Sequence, residues 1–177
     1  MALALALVVS TSSTVAIPAA AATQDAREYA VKAAFLYGVM KFVEWPAAGL
    51  PSGIAPLTVA VLGTDAGAKV KATLEGQVIG GRPIRVRVYT HPKDLEACHV
   101  LLIAEEAANG AHVALASVRG RPVLTVTEAL TAGAVLNLDV QDTRIAFDAD
   151  LDAARGQGLR LASNLLRLAR KVRGSAY

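Results

Sequence analysis

Aromatic residues make up only 5% of the chain, cysteine occurs once and histidine three times. Each scarcity removes a class of function. A single cysteine, Cys98, permits no intramolecular disulfide, so 177 residues must hold their fold by packing alone, which that length allows. His91, His99 and His112 contain no pair at the i, i+4 spacing of a helical metal site, and neither a metal nor a cofactor is expected. Lys and Arg are dispersed among Asp and Glu, with no basic block interleaved with aromatics. The net charge of +3 is therefore no nucleic-acid footprint. Charge is wholly missing from the first 22 residues. There "ALALALVV" has the length of a signal-peptide apolar core, and Ala20 and Ala22 fit the small-x-small cleavage pattern. A leader over 1–22, cleaved after Ala22, is the expectation. The run falls short of the roughly 20 apolar residues of a membrane span. The basic flank usual in a leader is missing, which leaves a start further upstream open.

What remains, 23–177, alternates between two patterns. "LTVAVLG" (57–63), "HVLLIAEE" (99–106) and "RPVLTVT" (121–127) are apolar runs bounded by turn residues, which predict buried strands. "DAGAKVKATLEG" and "ANGAHVALASVRG" between them predict helices ending at Gly76 and Gly120. In "GGRPIRVRVY" Ile84, Val86 and Val88 alternate with Arg85, Arg87 and Tyr89, a strand with one wet face. "AVLNLDV" and "TRIAFDAD" predict a hairpin around Gln141 and Asp142. Asp150 can cap a short helix that Gly158 ends, and Ser163 can cap a last helix from Asn164 to about Val172 with the stripe Leu161, Leu165, Leu168 and Val172. Strands alternating with helices predict an α/β single-domain sandwich, a central mixed β-sheet flanked by helices, with its core over about 28–172.

No catalytic set emerges. Cys98 beside His99 suggests a thiol and its base, but neighbours in a strand point to opposite faces, and a buried small hydrophobe fits Cys98 better. "DADLD" (148–152) has the carboxylate spacing of a calcium loop, yet Ala153 stands where the loop needs glycine and no Glu follows at the twelfth position. "GTDAG" (63–67) opens a helix after a buried strand, a place for an anion, but Asp65 would repel a phosphate.

The stretch "KAAFLYGVMKFVEWP" (32–46) carries more. At about 100° per residue, Tyr29, Val31, Phe35, Leu36, Val39, Met40, Phe42 and Val43 form an apolar face over about half of a helix that runs on to Trp45. Tyr37, Lys41 and Glu44 fall on the other side with Trp45 close by, and these four are the candidate partner-binding residues. Lys32 projects into the apolar arc with Glu28 one turn before it, in the favourable order for an i, i+4 pair. Such a lysine either snorkels past the core or lines a pocket.

"EYAVKAAFLYGVMKFVEWP", "GRPIRVR", "DLEACHVLLIAEE" and "RIAFDADLDAARGQGLRLASNLLRLAR", in this order and spacing, closely resemble the YfiR family of exported bacterial proteins. The likeness runs from about Glu28 to Val172. It implies a periplasmic, non-enzymatic regulator, often dimeric, that restrains an inner-membrane diguanylate cyclase by binding its periplasmic region, and so lowers cyclic di-GMP and biofilm formation. It also implies sequestration by an outer-membrane lipoprotein with a peptidoglycan-binding domain. Departures are local. Gly38, Val39 and Met40 replace a usual Asn-Phe-Ala, the hairpin segment is short, and Cys98 keeps a family position without its disulfide partner. The reading from another class is a periplasmic small-molecule sensing module with its pocket near Thr64 and Asp65.

Overall fold

A computed structural model describes residues 19–141 and 144–175. Most of the predicted leader, residues 1–18, and the hairpin tip at Asp142 lie outside those residues. The chain opens with helix α1 (Ala19–Met40) and the two-residue strand β1 (Val43–Glu44). The helix thus stops short of the predicted end at Trp45. Its last turn tightens, with the Lys41 N–H donating to Gly38 O at 3.1 Å and the Phe42 N–H to Val39 O at 2.8 Å. Pro46 then holds Trp45 out of the helical region. Tyr29, Leu36, Val39, Met40 and Val43 are buried as expected, whereas Val31 and Phe42 are more than a third exposed.

Then follow β2 (Leu57–Leu62), α2 (Thr64–Leu74), β3 (Val78–Ile79), β4 (Arg82–Tyr89), β5 (Val100–Ile103), α3 (Ala111–Ser117) and β6 (Leu124–Thr127). Strands β7 (Leu136–Gln141) and β8 (Arg144–Asp150) form the predicted hairpin. The chain closes with α4 (Leu151–Gly156), β9 (Arg160–Leu161), α5 (Ser163–Leu166) and β10 (Lys171–Arg173). β1 pairs with β9, and the other eight strands make one mixed sheet in the order β10-β8-β7-β6-β5-β2-β4-β3. From β4 to β7 neighbouring strands run parallel, while β3 and β8 are antiparallel to β4 and β7. Chain order reverses between β2 and β5, as in doubly wound sheets whose ligands sit beyond the carboxyl ends of the strands.

Parallel strands buried on both faces explain the unbroken apolar runs. On one face Val59, Val61, Val100, Leu102, Leu124 and Val126 pack with α1 and α2, through Ala33, Leu36, Val39, Ala66 and Val70. On the other, Ala60, Leu62, Leu101 and Ile103 pack with Ala111, Ala114 and Leu115 of α3.

The C-terminal segment departs from expectation. Asp150 caps α4 as predicted, accepting from the Ala153 N–H at 2.8 Å. Ala162, not Ser163, is the N-cap of α5, with no side-chain cap bond, and α5 lasts a single turn. Instead of continuing as a helix, Lys171–Arg173 pairs in parallel with Asp148–Asp150 along the open edge of β8. The Arg170 N–H donates to Phe147 O at 2.8 Å, and its guanidinium reaches Asp148 at 2.9 Å as well as Asp139. Strand bonds and these ion pairs replace what a longer helix would have supplied. Leu161 and Leu165 are buried, but Leu168 and Val172 of the expected stripe are exposed.

Candidate functional site

The amino-terminal half of α1 lies over the carboxyl ends of the parallel strands, where Glu105 follows β5 and Glu128 follows β6. Lys32 is only 5% exposed and is held by two carboxylates, Glu28 at 2.7 Å and Glu128 at 3.3 Å. Its ammonium also lies 4.3 Å over the ring of Tyr29, a cation–π contact. The predicted Glu28 pair is present, and Lys32 stands beside a small hollow of about 210 Å³ with Glu28, Glu105 and Glu128. Glu128, which the sequence reading did not single out, has a side chain 3% exposed. Its Oε2 accepts from the Glu105 N–H at 3.1 Å and from the Tyr29 hydroxyl at 3.3 Å, whereas its Oε1 is buried with no partner. Burial, more than any neighbour, pushes the Glu128 carboxyl above its ordinary range, and Lys32 pulls it part of the way back. Burial, and then Glu128, hold the Tyr29 hydroxyl well above the usual phenol range. An acidic residue directly after a buried parallel strand was the available signal for Glu128.

One strand along, α2 starts at the chain reversal, and the anion position there is filled by the protein itself. Glu106 Oε1 accepts from the N–H groups of Asp65 at 3.0 Å and Ala66 at 3.2 Å. A carboxylate on the free amides of a helix start satisfies both the amides and the dipole. The proposed pocket at Thr64 and Asp65 thus receives a side chain from the β5 end. Lys69, one turn on, bridges Asp65 at 2.6 Å and Asp25, so α1 and α2 are also joined by charge. Hydrogen bonds to Asp25 and Asp65 raise the Lys69 ammonium above its ordinary value.

The four surface candidates fall into two pairs. The Tyr37 hydroxyl donates to Val78 O of the edge strand β3 at 2.9 Å, and the Lys41 ammonium sits 4.1 Å over the Tyr37 ring. Glu44 is exposed on β1, and the half-buried Trp45 packs against the main core. Glu44 and Trp45 line a hollow of about 360 Å³ with Pro46, Arg155, Gly158, Leu159 and Arg160. The Trp45 Nε1 is buried without a hydrogen-bond partner.

With this geometry in place, comparison with known proteins is informative. A family model described as YfiR/HmsC-like matches residues 29–170. The chain belongs to the YfiR/HmsC-like family. Among solved structures, a conserved domain protein from Vibrio cholerae O1 biovar El Tor aligns with a TM-score of 0.50 at 12% identity, over 81% of this chain. The chain spans 60% of that protein's length, and the likeness concerns the fold.

In this YfiR/HmsC-like chain the sequence motifs that mimic catalytic ones have structural uses. Cys98 is buried among Leu101, Ala114 and Val118, and burial pushes its thiol up to about 11. The Thr58 N–H donates to His99 Nδ1 at 2.9 Å, so the ring keeps that nitrogen unprotonated, and burial lowers its basicity. Thiol reagents are expected to label Cys98 slowly in the native protein and rapidly in denaturant; native labelling as fast as in the unfolded chain would contradict its burial. In "DADLD", Asp148 holds Arg170 and Asp150 caps α4. The hydrogen bond from Arg170 keeps the Asp148 carboxyl below its ordinary range. Among the described residues no group of three or more His, Cys, Asp and Glu could hold a metal ion, and no helix is long and apolar enough to cross a membrane.

Proposed function

We propose that this chain is a periplasmic regulator that binds and restrains an inner-membrane signalling enzyme, a diguanylate cyclase, and so lowers cyclic di-GMP and biofilm formation. Family membership over residues 29–170 supports the regulatory role. The contact surface we assign to it is the carboxyl end of α1 and the strand after it: Tyr37, Lys41, Glu44 and Trp45. The observation that carries this assignment is Trp45, whose buried N–H lacks the partner that a buried indole normally finds. A partner acceptor entering the hollow would supply it, and tryptophan in a desolvated pocket is a common anchor of interfaces. Repression then needs only differential affinity, the regulator binding the inactive form of the enzyme more tightly than the active one. A homodimer, and release through an outer-membrane lipoprotein with a peptidoglycan-binding domain, belong to the same proposal.

Affinity purification from membranes of cells expressing the tagged protein tests the reading. The expected result is recovery of a membrane cyclase, identified by mass spectrometry, and repression of its product. Trp45→Ala should weaken the complex by about 2 kcal/mol, roughly 30-fold, while the protein stays folded. Recovery of no membrane signalling enzyme would overturn the partner. Undiminished binding by Trp45→Ala and Tyr37→Ala would overturn the surface.

A further inference from the structure

We propose that the outer edge of β4, from Val86 to Tyr89, is a docking site for an extended acidic segment of a partner protein, which adds to the sheet as one more strand. The edge uses none of the residues assigned above to the partner surface, so the two readings stand or fall separately.

The direction of the backbone groups is the first argument. In a parallel pair, alternate residues of a strand bond to the neighbour, and the rest turn their N–H and C=O groups the other way. The Gly63 N–H donates to Tyr89 O at 2.9 Å, so Arg85, Arg87 and Tyr89 face β2, while Ile84, Val86 and Val88 face outward. Ile84 is satisfied there, its N–H donating to Gln77 O at 2.6 Å and its O accepting from the Gly76 N–H at 3.0 Å. β3 pairs with Arg82 and Pro83 and ends before the rest of β4. Among the described residues, the Val86 carbonyl and both backbone groups of Val88 have no partner.

Glu75 marks the position between. Its Oε2 accepts from the outward Val86 N–H at 2.7 Å, where the carbonyl oxygen of an added strand would stand. Glu75 is exposed, so its carboxylate can return to water when a strand arrives.

Shape and charge name the occupant. A hollow of about 460 Å³ is lined by Lys71 of α2, by Val86, Arg87, Val88 and Tyr89, and by Glu96. A groove beside an exposed sheet edge lets an extended peptide draw affinity from main-chain bonds and specificity from alternate side chains. Arg87 is paired with Glu96, whereas the exposed Lys71 and Arg85 have no carboxylate partner among the described residues. On an added strand, apolar side chains would lie beside Val86 and Val88, and carboxylates beside Arg85 and Arg87. A second copy of this chain fits badly, because antiparallel pairing of β4 with itself would gather two sets of Arg85 and Arg87.

Nuclear magnetic resonance on the isotope-labelled full chain tests this with a capped heptapeptide that alternates glutamate and valine. The same peptide N-methylated at alternate residues, and one with lysine in place of glutamate, serve as controls. Saturable shifts centred on the Val86 to Tyr89 amides are expected, with exchange of the Val88 amide slowed about tenfold at saturation, and with both controls about tenfold weaker. Glu75→Ala, which frees the Val86 N–H, should tighten binding about fivefold, and Lys71→Glu should weaken it about threefold. Both substitutions are at exposed positions, and the wild-type titration stands without them. No saturable shift at β4, or equal binding of the N-methylated peptide, would overturn strand addition. Equal binding of the lysine peptide would overturn the acidic partner, as would self-association of Glu75→Ala in sedimentation, which would make a second copy the occupant.

Discussion

Lys32→Met is expected to destabilise the protein by about 3–5 kcal/mol near neutral pH, because it leaves Glu128 buried without its cation. The side chains concerned are 5% and 3% exposed, so water screens the pair little. The loss should also depend on pH in a definite direction. Glu128 binds its proton more tightly when folded than when unfolded, since burial raises its carboxyl above the ordinary value. Its contribution to stability is therefore intact at low pH and is lost as pH rises towards the folded value. Lys32 is among the groups that lower that value, so removing Lys32 raises it further and widens the window of loss. Urea denaturation at about pH 4 and about pH 7 should then give a wild-type-to-variant gap that grows with pH. Replacing both partners by apolar residues, as in Lys32→Met with Glu128→Leu, should recover most of the stability. A gap below about 1 kcal/mol, or one independent of pH, would mean that water reaches Glu128 and that the pair resembles a surface ion pair.

Two glycines in neighbouring helices should respond in opposite directions. Gly67 in α2 rests on β4, where an added Cβ would stand 2.8 Å from Val88 Cγ2 and 3.1 Å from its Cβ. Valine is stiff at its first torsion and lies in the sheet, so neither side can yield cheaply. Gly67→Val is expected to cost about 3 kcal/mol or more through overpacking, despite any gain in helix propensity. Gly38 in α1 has nothing within 4 Å of the corresponding position. Gly38→Ala should stabilise by about 0.5–1 kcal/mol, the ordinary penalty of glycine in a helix. Thermal melts of both variants decide the matter. A neutral Gly67→Val would mean that α2 lifts from the sheet more easily than its packing implies.

Those glycines also mark what could be read in advance. β2, β5 and β6 were legible because strands buried on both faces need unbroken apolar runs, and Asp150 because a cap acts on the residues that immediately follow it. The Glu28–Lys32 pair was legible for the same local reason. The end of the chain was not. "NLLRLARKV" has helical spacing, and only the open edge of β8, with Asp148 and Asp139 waiting for Arg170, turns its last residues into a strand. β1 likewise exists only because β9 arrives beside it from far along the chain. Lys32 had two readings on the helix alone, and its second carboxylate partner, Glu128, belongs to another element. Glu106 on the α2 amides was illegible for the same reason, which is why Thr64 and Asp65 looked like an open site.

The sheet's two borders have a consequence of their own. One ends in β3, two residues long and turned back from β4; the other ends in β10, three residues long, with Lys171 and Arg173 flanking Val172. A bare row of backbone N–H and C=O groups is a template on which further chains can stack, and short or charged terminal strands deny it. Each of these brief strands pairs with only two or three residues of its longer neighbour, β4 or β8, and covers that part of the border. β3 and β10 thereby shorten the stretch of backbone at each border on which a further strand could pair.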